Sequence, residues 1–558
     1  MPYAVPAFTA AVALAVAAPA LALPADFKAK ADSILAQAYS EGGPGAAVIV
    51  TDDGRVVYAA GRGLADLEGR KPITPKTVFR LGSITKQFSA AVLLQLVQEG
   101  KVKLTDPVSK YVPSLPKPGG DATIAQILNH TVGVQSYTGI PGWMADEKNT
   151  TRPHTTAEMI ALFKDLPSPS RPGEKWEYNN SGYVLVGAVI EAVTGKPWHQ
   201  AVDERIVKPL GLKSIRYGIH EASIPAMAKG YTQNEAGPVP ARRIHMSVPH
   251  AAGALVGSVE DLAKWAHALH HGKVLKSETY AQMIAPARLS DGSTFPYGFG
   301  LGLEKVRGRD AIGHGGGIFG FSTGSLYEPK EDVFVAVFTN SDDPETPPSV
   351  VVSRLVALAA GDPFPEFAKA TVDLGAVEPL LGIYRVADGP GQGERRFFAR
   401  DGKLYTQRPG GPALETFSAG NGRFFYGPGS LTWFEIKRDA AGKPLMEMHQ
   451  NGADEAEPAS YVGPNPPSLP TVDLPRAALE RFVGSYVAPM GTAEVAMTDA
   501  GLTFRLGNQP AFPLRPVGQS DFRIEDVDAE IAFSSDAAGV TGLVIKQAGR
   551  EIAAERKK

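Results

Sequence analysis

After about residue 365 the chain changes character, and this change constrains its fold more than any other feature. Helical periodicity gives way to short alternating segments separated by Gly and Asp turns. The region also repeats itself. "LLGIYRV" (Leu380 to Val386) is echoed by "RFVGSYV" (Arg481 to Val487). "FEIKRDAAGKPLMEMHQNG" (Phe434 to Gly452) is echoed by "IAFSSDAAGVTGLVIKQAG" (Ile531 to Gly549). Both copies run Gly-x-Tyr, strands, Asp-Ala-Ala-Gly turn, strand, Gln-x-Gly. The Pro-rich "VGPNPPSLPTVDLP" lies between them. Agreement in the order of several elements predicts two tandem all-β units, 371–462 and 474–558, each a small barrel.

Residues 23–365 read differently, as one α/β (α+β) domain. "GAAVIVTDDGRVVYAAGRG" (Gly45 to Gly63) predicts a hairpin around Asp52-Asp53-Gly54. "SITKQFSAAVLLQLVQEGKV" predicts a helix that starts near Ser83, buries Phe88, Val92, Leu96 and Val97, and stops at Gly100. "GYVLVGAVIEAVTGKP" predicts a second helix, ended by Gly195 and Pro197. "SVEDLAKWAHALHHGKV" predicts a third, with Ser258 and Asp261 as a loose capping box and Gly272 just past its end. "YGFGLGLEKV" and "DVFVAVFTN" predict strands.

Composition excludes several classes of function. Net charge is −3 with no run of Lys or Arg, so neither a nucleic acid nor an anionic membrane is expected as partner. There is no cysteine, which removes disulfides, thiolate metal sites and a Cys nucleophile. The histidines show no ligand spacing, so neither a metal nor another cofactor is expected. Residues 1–22 read as a signal peptide: "AFTAAVALAVAAPALA" is an apolar run ending in the cleavage pattern Ala20-Leu21-Ala22. The run is shorter than the roughly 20 residues of a spanning helix. The expectation is an exported protein, periplasmic or secreted, with no stable membrane insertion after cleavage.

Three short motifs carry chemistry. In Ser83-Ile84-Thr85-Lys86 the first and last side chains share one helical face. A weak hydroxyl nucleophile then meets an amine that takes its proton once burial has made it neutral. Alone, the tetrapeptide reads as an N-cap serine followed by a surface lysine. Tyr178-Asn179-Asn180 supplies a phenol for proton transfer and an amide for a substrate carbonyl, or else an ordinary turn. "GHGGGIFGFSTG" (Gly313 to Gly324) contains both an HGGG string and a G-x-S-x-G string, which suggests a lipase with Ser322 as nucleophile. The spacing rejects that reading. The two strings almost abut, and "TGSLYEPKEDVFVAVFTN" after Ser322 reads strand, turn, strand, where a nucleophile elbow needs a helix.

Taken together, Ser83-x-x-Lys86, Tyr178-x-Asn180 and His314-x-Gly316 resemble, in order and spacing, the motifs of the serine β-lactamase-like (penicillin-recognising) hydrolases. The resemblance is to the class C-like branch, which includes D-alanyl-D-alanine carboxypeptidases, D-aminopeptidases and esterases. "TVFRLGSITKQF", "ILNHTVG", "YNNSGYVLVGAVIEAVTGKPW", "IVKPLGL", "SVEDLAKW" and "AVFTNSD" support it. It implies a β-lactamase-like domain, an antiparallel sheet flanked by helices, over 23–365. The two β-barrel repeats after it are similar to the D-aminopeptidase arrangement. The resemblance implies that His314 is the third-motif residue on an edge strand, that Gly316 lets substrate lie against that strand, and that the N–H groups of Ser83 and Gly317 form an oxyanion hole.

The function implied is an exported serine hydrolase that works through an acyl-enzyme on small peptides or amides, D-aminopeptidase- or carboxypeptidase-like. Its catalytic residues are Ser83, Lys86, Tyr178 and His314, and its substrate-binding residues Asn180 and Gly316. An esterase for short acyl esters, a β-lactamase and a non-catalytic penicillin-recognising sensor are the alternatives. The β-lactamase ranks low because His314 offers less constant positive charge than lysine. His130 in "ILNHTVG" is expected to be structural, and His270-His271-Gly272 to be a helix end. The β repeats are expected to act as lids or substrate-selecting surfaces.

Overall fold

Two apolar runs set the centre of the main sheet. β1 (Ala46–Asp52) and β6 (Val333–Thr339) are buried along almost their whole length, whereas β2 (Arg55–Arg62) is largely exposed. With β3 (Gly302–Val306), β4 (Arg309–Ile318) and β5 (Phe321–Glu328) they form an antiparallel sheet of order β3-β4-β5-β6-β1-β2. Successive residues of a strand face opposite sides. Val48, Val50, Val335 and Val337 therefore pack under α1 (Phe27–Ala38) and α5 (Pro348–Ala359). Ala47, Ile49, Ala336 and Phe338 face the other helices. This computed structural model describes residues 23–557 except 235, 387–392, 467–470, 508, 510 and 525–526. The signal-like residues 1–22 lie outside the described residues.

α2 (Thr85–Gln98) is the interior helix of the domain. It is buried on every face from Thr85 to Leu94, as a helix apolar all round must be. Phe88 stacks on Trp265 of α4 (Val259–His270) with ring centroids 4.2 Å apart. Val97 is only half-buried. α3 (Asn180–Thr194) lies beside α2 and ends at Gly195 in the left-handed conformation. The expected capping box of α4 is half formed. Ser258 Oγ accepts from Asp261 N at 3.4 Å, but the Asp261 carboxylate turns away to accept from Ser214 N and Oγ. One strand is shorter than expected. In "YGFGLGLEKV" only Gly302–Val306 is strand, because Gly298 N donates to Leu301 O at 2.8 Å and closes a turn ahead of it.

The repeat region forms two closed antiparallel barrels of eight strands each. One runs from Gly382–Val386 to Glu457–Gly463, the other from Gly484–Ala488 to Arg550–Arg556. The Gly-x-Tyr echo has a physical cause. Tyr384 and Tyr486 are fully buried, and each hydroxyl donates to the carbonyl four residues earlier, Leu380 O at 2.5 Å and Phe482 O at 2.7 Å. The two Asp-Ala-Ala-Gly strings are the matching hairpin turns, after Trp433–Arg438 in the first barrel and at the end of Ala529–Asp536 in the second. The first barrel docks on the catalytic domain at the β3–β4 turn, where Arg307 pairs with Asp362 (3.1 Å) and Asp454. Gly410 N donates to Asp528 Oδ2 at 3.0 Å and joins the barrels. Among the described residues, no helix is long and apolar enough to cross a membrane.

Candidate active site

Ser83 sits in a tight turn, Gly82–Ile84, that leads directly into α2. Lys86, one turn on, is fully buried. Its Nζ donates to Ser83 Oγ, Asn180 Oδ1 and Ala252 O, each at 2.9 Å. Burial pushes its pKa well below the ordinary lysine range, since no carboxylate offsets the lost solvation. The amine that sequence reasoning placed beside Ser83 is thus held there by three polar neighbours, while burial disfavours its charged form. The Ala252 carbonyl carries no sequence signal, because it arrives from a short helix, His250–Gly253, far along the chain.

Asn180 opens α3, and its Nδ2 also donates to Thr138 Oγ1 at 3.2 Å. The neighbouring Asn179 is structural. Its Oδ1 caps α3 by accepting from Gly182 N at 3.0 Å, and its N donates to His130 Nδ1 at 3.1 Å. The Tyr178 ring lies 4.8 Å from Lys86 Nζ. Its hydroxyl is buried near Ser83, and burial raises its pKa above the usual tyrosine value, opposed in part by interaction with the Ser83 hydroxyl. The Tyr178 ring rests on His130 (4.3 Å), which is buried, neutral by burial and packed among Tyr178, Tyr183 and Tyr297. That is the structural role expected of His130.

His314 lies on β4, which pairs with β5 as far as Ile318 but with β3 only from Arg309 to Gly313. From His314 onward the outer side of β4 has no strand partner among the described residues, so the third motif lies on a free strand edge as expected. His314 Nε2 meets Tyr297 Oη at 2.9 Å, and its Nδ1 faces Gly315 O. Burial and the nearby Lys86 push its pKa down to about 4. Its charged form is disfavoured.

Gly316 also has a packing task. A Cβ there would lie 2.1 Å from Leu81 O, 2.4 Å from Thr323 Oγ1 and 3.0 Å from Ser83 N. The missing side chain makes room for the nucleophile turn itself. A Cβ on Gly82 would in turn lie 3.0 Å from Gly317 N. Close contact between these glycines brings the backbone N–H groups of Ser83 and Gly317 together. Gly317 itself has open space where a side chain would stand.

A cleft of about 350 Å³ opens over Ser83, Asn180 and Gly317, with Met144, Ile244, Pro249, Ile318 and Phe319 as apolar wall. Among the described residues, Asp342 is the one charged residue in its lining. Asp342 Oδ2 accepts from Gly320 N (2.7 Å) and Thr232 Oγ1 (2.8 Å), while Oδ1 is buried without a partner. Sequence reasoning did not single out Asp342, although it ends the quoted stretch "AVFTNSD". Ser322 lies on β5, its Oγ donating to the Asp342 backbone carbonyl at 3.4 Å, and no hydrogen bond links it to a lysine, histidine or carboxylate side chain among the described residues. No residue of either barrel lines the cleft among the described residues, so the barrels are not lids over it in this conformation.

Comparison with known proteins agrees with this geometry. The β-lactamase family model matches residues 28–360. D-aminopeptidase of Gluconobacter oxydans (strain 621H) is 28% identical over 334 residues, 58% of this chain and 60% of that protein. Among solved structures, the octameric penicillin-binding protein homologue from Pyrococcus abyssi has a TM-score of 0.56 at 26% identity, over 77% of this chain and 99% of that one. D-amino acid amidase from Ochrobactrum anthropi SV3, complexed with L-phenylalanine amide, has a TM-score of 0.52 at 27% identity, over 60% of this chain and 97% of that one.

Proposed function

The chain belongs to the β-lactamase family, and from that premise we propose that this serine hydrolase cleaves small amides or peptides that present a free ammonium and an apolar side chain, in the manner of a D-aminopeptidase. The carrying observation is the buried Lys86 amine 2.9 Å from Ser83 Oγ. Ser83 Oγ attacks the carbonyl carbon and its proton passes to Lys86. The oxyanion is held by the N–H groups of Ser83 and Gly317, a type of pair typically worth about 3 kcal/mol or more of transition-state stabilisation. Tyr178, kept as a phenol by burial, gives a proton to the leaving nitrogen and is reprotonated from Lys86. Water, with Lys86 again as base, then releases the acid. Asn180 positions Lys86 and faces the cleft, where its amide is placed to meet the substrate carbonyl. His314 acts as a neutral partner of Tyr297.

The substrate class follows from charge. A D-alanyl-D-alanine carboxypeptidase or a β-lactamase must receive a substrate carboxylate, and the described cleft lining contains no cation. It contains one carboxylate, Asp342, with an unpartnered oxygen suited to an ammonium. The apolar wall accepts a short acyl chain equally well, so an esterase for short acyl esters is the second reading. A panel of D- and L-aminoacyl amides, their N-acetyl forms, short p-nitrophenyl esters and nitrocefin tests the proposal. Free-amine amides are expected to lead. Asp342→Asn is expected to cost them about tenfold in kcat/KM and to leave N-acetyl amides unchanged, as for one charge-assisted contact. Preference for N-acylated or C-terminally charged substrates would contradict the proposal. Export with cleavage after Ala22 belongs to the same proposal, and N-terminal sequencing of the mature protein tests it.

A further inference from the structure

A second cavity of about 350 Å³ lies far from Ser83, between α1, α5 and the first barrel, and shares no lining residue with the catalytic cleft. Its lining combines aromatic rings with an excess of positive charge. Phe367 and Phe425 stack with centroids 5.5 Å apart, and Phe367 also packs on Trp433 at 5.2 Å. Three cations, Lys30, Arg354 and Lys369, face one carboxylate, Glu366. Lys30 is tied to Asp26 at 2.9 Å, and Lys369 lies over the Phe417 ring at 3.4 Å. Arg354 is different. It projects from the middle of α5 and is half-buried; Glu366 attracts it from a distance, but it has neither a hydrogen bond nor an ion pair within 4.0 Å to any described residue.

A guanidinium carries five N–H donors in a planar fork that matches a carboxylate. Leaving that fork unpaired and partly desolvated is costly, and an anion in the cavity removes the cost. The aromatic rings beside it suit an apolar body of the size of a phenyl or isobutyl group. Cavities of this volume at domain boundaries are ordinary small-molecule sites. We propose that this cavity is a second ligand site, for a small monocarboxylate with an aromatic or branched apolar body. Its carboxylate sits on Arg354 and its body lies among Phe367, Phe425 and Trp433. Because α5 belongs to the catalytic domain and Trp433 to the first barrel, the ligand ties the two together.

The test is calorimetric and fluorescence titration of the full chain with 3-phenylpropanoate, and with 3-phenyl-1-propanol as a neutral control of similar shape. The expected result is one binding site for the carboxylate, with the alcohol at least about tenfold weaker, as for the loss of one charged hydrogen-bonded pair. Arg354→Gln is expected to weaken the carboxylate by a similar factor. Lys369→Gln, on an exposed side chain that folding does not need, is expected to weaken it by about threefold, the scale of a solvent-exposed charge. Trp433→Phe should remove the fluorescence response. Saturating carboxylate should not compete with hydrolysis of a p-nitrophenyl ester. No binding, equal binding of the alcohol, an affinity unchanged in both charge variants, or competitive inhibition of hydrolysis would each overturn the proposal.

Discussion

At the scale of single residues the account rests on which groups are charged. A lysine accepts a proton only when neutral, and burial lowers the pKa of Lys86, so its neutral form is populated well below pH 10.5. Activity should therefore rise with pH through that lowered value. Burial raises the pKa of Tyr178, so the phenol persists past its ordinary value near 10 and no falling limb is expected at mildly alkaline pH. Burial lowers the pKa of His314, so no histidine step is expected between about pH 5 and 8. The expected kcat/KM profile has one rising limb, and His314→Asn leaves its position unchanged. A step near pH 6.5 that disappears in His314→Asn would assign the base role to the histidine instead.

At the scale of elements, the close contact of β4 with the nucleophile turn decides the geometry of the site. Gly316→Ala puts a methyl group 2.1 Å from Leu81 O and must push strand and turn apart. It should lower kcat by about a hundredfold or more, the scale of losing an oxyanion donor, and destabilise the domain by about 1–3 kcal/mol through overpacking. Gly317→Ala meets nothing within 4 Å, so it should fold normally and mainly raise KM by crowding the cleft. Steady-state kinetics and thermal melts of the two variants separate these outcomes. Much of this was legible in the sequence. Serine and lysine three apart on a buried helix, the three ordered motifs, the half-repeat with its Gly-x-Tyr and the strand around Ser322 are all local patterns, and local patterns survive in one dimension. The Ala252 carbonyl on Lys86, the Tyr297 hydroxyl on His314 and the unpartnered Asp342 oxygen come from chain crossings that no spacing encodes. The packing of Gly316 was hidden for the same reason: its neighbours Leu81 and Ser83 are more than two hundred residues away in the chain.

At the scale of the whole molecule, catalytic domain and barrels have separate hydrophobic cores, joined by ion pairs at Arg307 and by Phe364 and Phe367 packed against the first barrel. The barrels do not reach the cleft, so a chain ending at about residue 370 should keep its small-ester activity within about threefold and its selectivity across the amide panel, the size expected of changes remote from the transition state. It should melt earlier, because Phe364 and Phe367 lose their cover. A change in peptide selectivity would return the barrels to the substrate-selecting role that their size first suggests. The central claim, that Ser83 is the nucleophile and Ser322 a strand residue, is tested most directly by intact-mass measurement after fluorophosphonate labelling of the wild type, Ser83→Ala and Ser322→Ala. The account predicts one adduct on the wild type and on Ser322→Ala, with none on Ser83→Ala. An adduct that survives in Ser83→Ala and disappears in Ser322→Ala would contradict it.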